Sequence, residues 1–483
     1  MSTPIVFGTD GWRAVIADQF TFDNVRLVAD AIAVAARTLQ PPGDVDANAI
    51  IVGFDRRFLS RDFAALVAES FRGAGFHTIL SDRPTPSQTI SFTARHRRVL
   101  GGVVVTASHN PAKYNGLKFK AWYGGSALPE MYEAIAASLG QRTSRDGGTV
   151  REENILDDYV DGVRAQLDVG LLRSAKLAIL HDPIHGAAAF IPSKVLGLDY
   201  VGALRIAHGD STPLEATVVD GIRGDVNPSF GGVNPEPIPE NLVAAQDVML
   251  SGDYDLAICN DGDADRLGIL DERGTFVSPQ KIIALLALYL VREKKRDGEI
   301  VKTFSTSRLI EKVATALGAT LHETPIGFKY VADLMLARNV LLGGEESGGI
   351  GFGHFMPERD GVLSGLLVAE AVAHYGLPLS DIIARMETEF GALHYDRRDL
   401  HRPMEQCARL IERVRSGALD AAFGAPFASR EEKDGVKMNF ADGGWILFRK
   451  SGTEPIIRIY CESPDLDRVR AMLDTAVAEL DRS

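Results

Sequence analysis

The sequence predicts an α/β protein: three topologically similar αβ units with parallel or mixed sheets, then a smaller C-terminal α+β unit. Strand-like apolar runs alternate with amphipathic helical stretches over most of the chain, which places helices on both faces of such sheets. The alternation restarts twice and then changes character near residue 389. The length of 483 residues supplies a third observation, since it suits roughly three or four domains at ~100–200 residues each. The expected units are residues 1–152, 153–273, 274–388 and 389–483.

In chain order, residues 50–55 read as a strand. Ser60 is expected to cap a helix whose apolar face is Phe63, Leu66, Val67 and Phe71, and Gly75 ends it. Residues 77–80 and 101–105 are further strands. The acidic turn over 151–158 is a candidate boundary. The pattern restarts at 176–182, with strands near 204–207 and at 255–260, and a rigid loop over 231–239 (GGVNPEPIP). It restarts again at 299–304, followed by a helix over 307–317 and a strand near Val340. In the last unit, 445–448 and 456–461 read as paired strands, with helices over 404–414 and 466–480. No sequence repeat links the three αβ units, and no tract is of low complexity.

Composition narrows the function. The hydrophobic fraction of 45% and charged fraction of 24% are those of a soluble globular protein. A net charge of −13 argues against nucleic acid or an anionic membrane as partner. Cys259, Cys407 and Cys461 are too widely spaced for a disulfide framework or a zinc set. With no signal peptide and no apolar run of about 18 residues, the expected location is the cytoplasm. Nothing in the sequence sets the oligomeric state.

Four motifs carry chemistry. Thr106-Ala107-Ser108-His109-Asn110-Pro111 follows the strand at 101–105. Asn-Pro breaks the strand, so Ser108 sits at the carboxyl end of a strand on a loop, where open α/β sheets place ligands. A serine there is either a nucleophile that needs activation or the end of a turn. Asp261-Gly262-Asp263-Ala264-Asp265-Arg266 alternates carboxylates, which point to one side of an extended segment and converge on a hard cation. Asp261, Asp263, Asp265 and Glu272 fit an EF-hand spacing, but Arg266 stands where that loop needs glycine, and the flanks read as strands. Oxygen ligands alone suit Mg²⁺. Gly344-Glu345-Glu346-Ser347-Gly348-Gly349 offers carboxylates and a hydroxyl on a glycine-rich loop, groups that suit sugar hydroxyls. Arg449-Lys450-Ser451-Gly452-Thr453-Glu454-Pro455, with Arg458 beyond, can cradle phosphate, though it lacks the Walker spacing. Each has a plainer reading as a turn or a solvated hairpin tip.

These motifs, together with Phe7-Gly8-Thr9-Asp10-Gly11-Trp12-Arg13, occur in one order across nearly the whole chain. In that order they resemble the α-D-phosphohexomutase superfamily, and within it the phosphoglucomutase/phosphomannomutase enzymes. The resemblance implies four domains around a central cleft, with one signature loop from each. It implies that Ser108 carries a phosphoryl group, that Mg²⁺ is held by Asp261, Asp263 and Asp265 and touches Ser108, and that Arg13, His109 and Lys118 lie near the phosphoserine. Glu345 and Ser347 would grip the sugar, with Arg266 and Lys329 as further substrate contacts. Arg449, Ser451, Gly452, Thr453 and Arg458 would hold the phosphate that is not reacting. The implied reaction interconverts glucose 1-phosphate and glucose 6-phosphate through glucose 1,6-bisphosphate, which also serves as activator, with mannose phosphates as further substrates.

One departure bears on the sugar. Dual-specificity members carry histidine at the end of the sugar loop, where this chain has Gly349; His354 matches the phosphoglucomutase pattern better. That favours glucose, while phosphoglucosamine mutase and a phosphoserine-type hydrolase stand as alternatives. The expected cations of the cleft are Arg13, Lys118, Arg266, Lys329, Arg449, Lys450 and Arg458, enough to make it locally positive on an acidic protein.

Overall fold

The structure, a computed structural model, describes residues 5–8, 10–198, 214–450 and 455–483. The strand expected near 204–207 lies outside the described residues, as do Ser451, Gly452 and Thr453. The described residues form four sheets. In the first, Val99–Val105, Asp46–Phe54, His77–Ser81 and Thr149–Glu153 run parallel, while Tyr114–Ala121 and Trp12–Val15 add antiparallel strands. The second orders Val218–Gly221, Ala178–Asp182 and Leu256–Asn260 in parallel, then Leu267–Asp271 and Phe276–Val277 antiparallel. The third places Leu321–Thr324, Glu299–Thr303 and Val340–Gly344 parallel, then Ile350–Phe352 and Met356–Arg359 antiparallel.

These three sheets share one order: the second parallel strand lies beside the first, the first beside the third, and the third beside an antiparallel return strand. Each signature loop is that last connection. It joins Val105 to a strand that pairs Val105 with Leu117, Asn260 to a strand that pairs it with Leu267, and Gly344 to a strand that pairs it with Ile350. The fourth sheet is wholly antiparallel, and its signature loop joins Trp445–Lys450 to Ile456–Ser463, with Arg449 opposite Arg458. Each loop therefore sits where a strand reverses, and the first three lie at the carboxyl end of a parallel strand, where open α/β sheets bind ligands.

Local expectations hold with adjustments. The helix Ser60–Gly73 buries Phe63, Val67 and Phe71, and Gly75 follows in a left-handed turn. Ser60 is not its cap, because its hydroxyl donates to Asp55 Oδ1 at 2.7 Å and Leu59 holds the cap position without a side-chain bond. Part of the acidic turn over 151–158 is strand: Thr149–Glu153 pairs with His77–Ser81 at the edge of the first sheet.

The first and fourth units have their own apolar cores. The second and third share one, which runs from Leu156 through Ile258 and Ile283 to Leu393. Its spine is the helix Gly361–Tyr375, capped by Asp360 accepting from the Leu363 N–H at 2.8 Å and buried along most of its length. A small cluster of Phe304, Trp445, Leu447 and Tyr460 joins the fourth unit to the third. Among the described residues, no single helix is long and apolar enough to cross a membrane.

Leu366 lies fully buried in that spine. Leu366→Ala is expected to cost about 2–5 kcal/mol and to lower the urea midpoints of the second and third units together. Separate midpoints, with only one displaced, would contradict a shared core.

Candidate active site

The serine loop is held from below. Asp55 and Arg57 follow the strand Asp46–Phe54 and form a buried ion pair at 3.1 Å. Arg57 donates to the carbonyls of Ser108, Asn110, Pro111 and Tyr114 at 2.5 to 3.0 Å. Thr106 Oγ1 donates to Asp55 and accepts from the Ser108 N–H. So restrained, Ser108 adopts φ +53°, in the left-handed region disfavoured for a residue with a Cβ.

The acidic loop comes from the second unit and touches the serine loop directly. Ser108 Oγ donates to Asp261 Oδ2 at 2.9 Å. A Cβ on Gly262 would lie 2.5 Å from the Ser108 carbonyl, so only glycine permits this approach. Asp261, Asp263 and Asp265 are fully buried, and one carboxylate oxygen from each lies within 4.8 Å of the others. Burial and the two neighbouring carboxylates push Asp261 up. Burial acts the same way on Asp263, but the Lys118 ammonium at 3.0 Å and the Ser87 hydroxyl hold it well below the usual range. Two buried oxygens, Asp263 Oδ1 and Asp265 Oδ1, have no hydrogen-bond partner. Three buried carboxylates clustered this closely, with two oxygens left unsatisfied, offer what a hard cation requires, so the residues present fit a divalent metal.

The sugar-type loop from the third unit meets the acidic loop through backbone. Arg266 bridges to Gly349, and the Leu267 N–H donates to the Gly348 carbonyl at 3.0 Å. Gly348 has φ +87°, and a Cβ there would lie 2.3 Å from the Leu267 carbonyl. Glu345 is pushed up by burial, against which the Arg359 guanidinium at 3.3 Å acts.

A cavity of about 650 Å³ joins these loops. Ser108, His109, Arg13, Arg266, Lys329, Glu345 and Arg449 all line it. Lys118 lies beneath its floor, fully buried between Asp10, Asp263 and Asp265, and these carboxylates hold its ammonium above the ordinary lysine range despite burial. Lys118 is therefore a fixed cation here. His109 behaves oppositely: burial, then Arg266 and Arg13, keep its imidazole neutral, with Nδ1 3.3 Å from Ser108 Oγ. Ser347 sits half-buried on the sugar-type loop.

Three expected cleft residues go elsewhere. His354 occupies the turn after Ile350–Phe352, at the end of that strand away from Glu345, against Arg296. The strand reversal that brings Glu345 to the cleft carries His354 out of it. Arg458 pairs with Asp399 at 3.4 Å, Lys450 is exposed, and neither lines the cavity.

Sequence reasoning missed Asp10, Ser87, Arg57 and Arg359. Arg359 donates to Asp265 Oδ2 at 2.7 Å and reaches Glu345 at 3.3 Å and Asp10 at 3.6 Å. It ends the strand Met356–Arg359, far in sequence from Asp265 and Asp10, and no local pattern marks it.

Loops from separate units thus meet at one cavity, and comparison with known proteins identifies the class of protein. Domains I, II, III and C-terminal of phosphoglucomutase/phosphomannomutase match residues 4–146, 157–274, 278–390 and 409–479. A phosphoglucomutase/phosphomannomutase of Thermococcus kodakarensis is 29% identical over 99% of both chains. A phosphoglucosamine mutase of Acidothermus cellulolyticus is 32% identical over 96% of this chain and 92% of its own. A solved Thermus thermophilus structure, assigned to the phosphomannomutases, is 32% identical, covers 100% of both chains and superposes with a TM-score of 0.84. The chain belongs to the phosphoglucomutase/phosphomannomutase family of α-D-phosphohexomutases. It is an isomerase of the phosphomutase type.

Removing Arg359 leaves Glu345 buried without its ion-pair partner and Asp265 with Lys118 alone at 3.8 Å. Arg359→Ala is expected to cost roughly 3–5 kcal/mol, and Arg359→Lys to recover only part of it, since one ammonium cannot span two carboxylates. Denaturant titration checks this; a loss below about 1 kcal/mol would mean the pairs contribute little.

Proposed function

We propose that this enzyme interconverts glucose 1-phosphate and glucose 6-phosphate, accepting mannose phosphates as well, with Ser108 as the phosphoryl carrier. The observation that carries this reading is the contact of Ser108 Oγ with Asp261 at 2.9 Å, at the floor of a cavity that Glu345 and Arg449 also line. A nucleophile with a sugar-gripping loop and a separate phosphate grip suits a substrate that presents its two ends in turn.

In this reading Asp261, Asp263 and Asp265 hold Mg²⁺. The ion supplies neutralisation of the charge that develops as phosphoryl moves. The phosphoserine Oγ–P bond breaks as the O6–P bond of glucose 1-phosphate forms, and neutral His109 is placed to take the O6 proton. Arg13, which lines the cavity, holds the phosphoryl oxygens, and the Lys118 ammonium beneath the floor fixes Asp263. Arg266 and Lys329 bind the substrate with Glu345 and Ser347, which orient its ring. Arg449 grips the distal phosphate bidentately, aided by Ser451, Gly452 and Thr453. The resulting glucose 1,6-bisphosphate turns over in the cleft, returns its 1-phosphate to Ser108, and primes unphosphorylated enzyme as activator. The three buried free cysteines suit the reducing cytoplasm.

A second reading, a phosphoglucosamine mutase, is favoured by relatives of that name at 30 to 32% identity. The same site would serve it, with the amino sugar in place of glucose.

Intact-mass measurement should find a fraction of the protein heavier by one phosphoryl group, absent in Ser108→Ala, whose turnover should fall by several orders of magnitude. Near-normal mutase activity in that variant would end the covalent reading. Across glucose, mannose and glucosamine 1-phosphates, each with its bisphosphate, glucose should give the highest kcat/KM. If the amino sugar wins, the second reading holds; steady release of inorganic phosphate would mark a hydrolase. A chelator should abolish turnover and leave the circular dichroism spectrum intact, and full activity after chelation would exclude the metal.

A further inference from the structure

Two of the three metal-loop acids keep one oxygen engaged and the other free, and the groups that engage them come from other units. Asp263 Oδ2 accepts from the Ser87 hydroxyl at 2.5 Å and from Lys118 Nζ at 3.0 Å, while its Oδ1 has no hydrogen-bond partner. Asp265 Oδ2 accepts from Arg359 Nη2 at 2.7 Å, and its Oδ1 is likewise without a partner.

Ser87 holds Asp263 twice. Its backbone N–H, the first of the helix Ser87–His96, also donates to the Asp263 carbonyl at 3.0 Å. The next residue, Gln88, is fully buried and donates from Nε2 to the Ala264 carbonyl at 2.8 Å. The Gly361 N–H donates to that same carbonyl at 3.1 Å. Ala264 has φ +66°, left-handed for a residue with a Cβ, so its backbone keeps that shape only while its surroundings hold it. Neither Ser87 nor Gln88 belongs to any signature loop, and neither lines the cavity. Both are wholly buried polar residues of the first unit aimed at the second unit's acidic loop.

We propose that Ser87 and Gln88 are positioning residues of the metal loop, fixing Asp263 and Ala264 so that Asp263 offers the ion a single oxygen, and that this hold favours Mg²⁺ over Ca²⁺. The inference rests on the reading that the three acids bind a divalent metal. A carboxylate whose second oxygen is taken by a hydroxyl and an ammonium binds an ion through one oxygen only. Mg²⁺ demands near-octahedral ligands at about 2.0–2.1 Å, whereas Ca²⁺ takes about six to eight ligands at longer range and accepts bidentate carboxylates. Without the Ser87 hydroxyl only the Lys118 ammonium still holds Asp263 Oδ2, and the carboxylate, less firmly fixed, turns more readily toward offering both oxygens, which penalises the small ion and helps the large one. Partners that orient metal ligands typically carry roughly 10–100-fold of metal affinity.

The test is calorimetric titration of the full-length, dephosphorylated protein with MgCl₂ and with CaCl₂. Ser87→Ala should weaken Mg²⁺ by roughly tenfold or more and Ca²⁺ by less, narrowing the preference. Ser87→Thr keeps the hydroxyl and should restore it. Gln88→Leu keeps the volume and should weaken Mg²⁺ by a smaller factor. In turnover assays Ser87→Ala should raise the Mg²⁺ concentration needed for half-maximal rate, while KM for the sugar phosphate at saturating Mg²⁺ stays as in wild type. Wild-type Mg²⁺ affinity and preference in both Ser87→Ala and Gln88→Leu would overturn the proposal. So would an equal loss of both ions that Ser87→Thr fails to restore, which is the behaviour of a purely structural contact. A wild-type protein that binds neither ion, or an Asp263→Ala variant that binds as wild type does, overturns the metal reading itself and this inference with it.

Discussion

Three buried carboxylates on one short loop cannot all stay ionised unless positive charge meets them, and the arrangement of the four units follows from that requirement. In a low-dielectric interior Asp261, Asp263 and Asp265 repel one another. Lys118 from the first unit and Arg359 from the third converge on Asp263 and Asp265, whereas Asp261, paired with neither, is pushed up. Each cation is shared: Lys118 and Arg359 both also face Asp10, and Arg359 reaches Glu345. The result is one continuous network in which no single pair can be removed without leaving a buried charge exposed to its own kind. Such a network does more to fix geometry than to add stability, because desolvating each ion offsets much of the attraction.

The network has somewhere to form because of topology. Each αβ unit ends its run of parallel strands in an antiparallel return, and each places its signature loop at that reversal. The second and third units are locked together by a common apolar core around the helix Gly361–Tyr375. The first unit meets that core at one edge through Phe92, which packs on Tyr159 and Phe355, and is joined further by polar contacts at the acidic loop and by pairs such as Lys120 with Glu358 at 2.6 Å. The fourth unit rests on the third through a small, mostly aromatic cluster and through polar contacts such as those of Arg308 with Glu462, Gly443 and Asn439. Apolar burial thus holds the frame, and charge holds the site within it.

The same division resolves the apparent conflict between an acidic protein and a phosphorylated substrate. Four of the seven expected cations, Arg13, Arg266, Lys329 and Arg449, line the cavity, and Arg359 joins them. Lys118 is buried beneath it, Arg458 is turned toward Asp399, and Lys450 faces solvent. Side chains alternate across a strand, so spacing along the chain did not reveal which side each cation would take.

The sequence by itself determined the α/β class, most strands and helices of the described units, and the loops that bear Ser108, the three aspartates, Glu345 and Arg449. Those signals are local: apolar periodicity, a proline after the serine, acids at alternate positions of an extended run. It also marked residues 7–13 as a motif without showing that Asp10 shares two cations with other units. The tertiary structure alone decided that Ser87, Gln88, Arg57 and Arg359 support the site, that His354 does not reach it, that Ser60 serves Asp55 rather than its helix, and that the second and third units share a core. Each of these depends on a contact between residues far apart in sequence or on the direction a strand takes after a turn. Short-range patterns of propensity encode neither, because side-chain pairing across units is set by packing and by the need to satisfy buried charge.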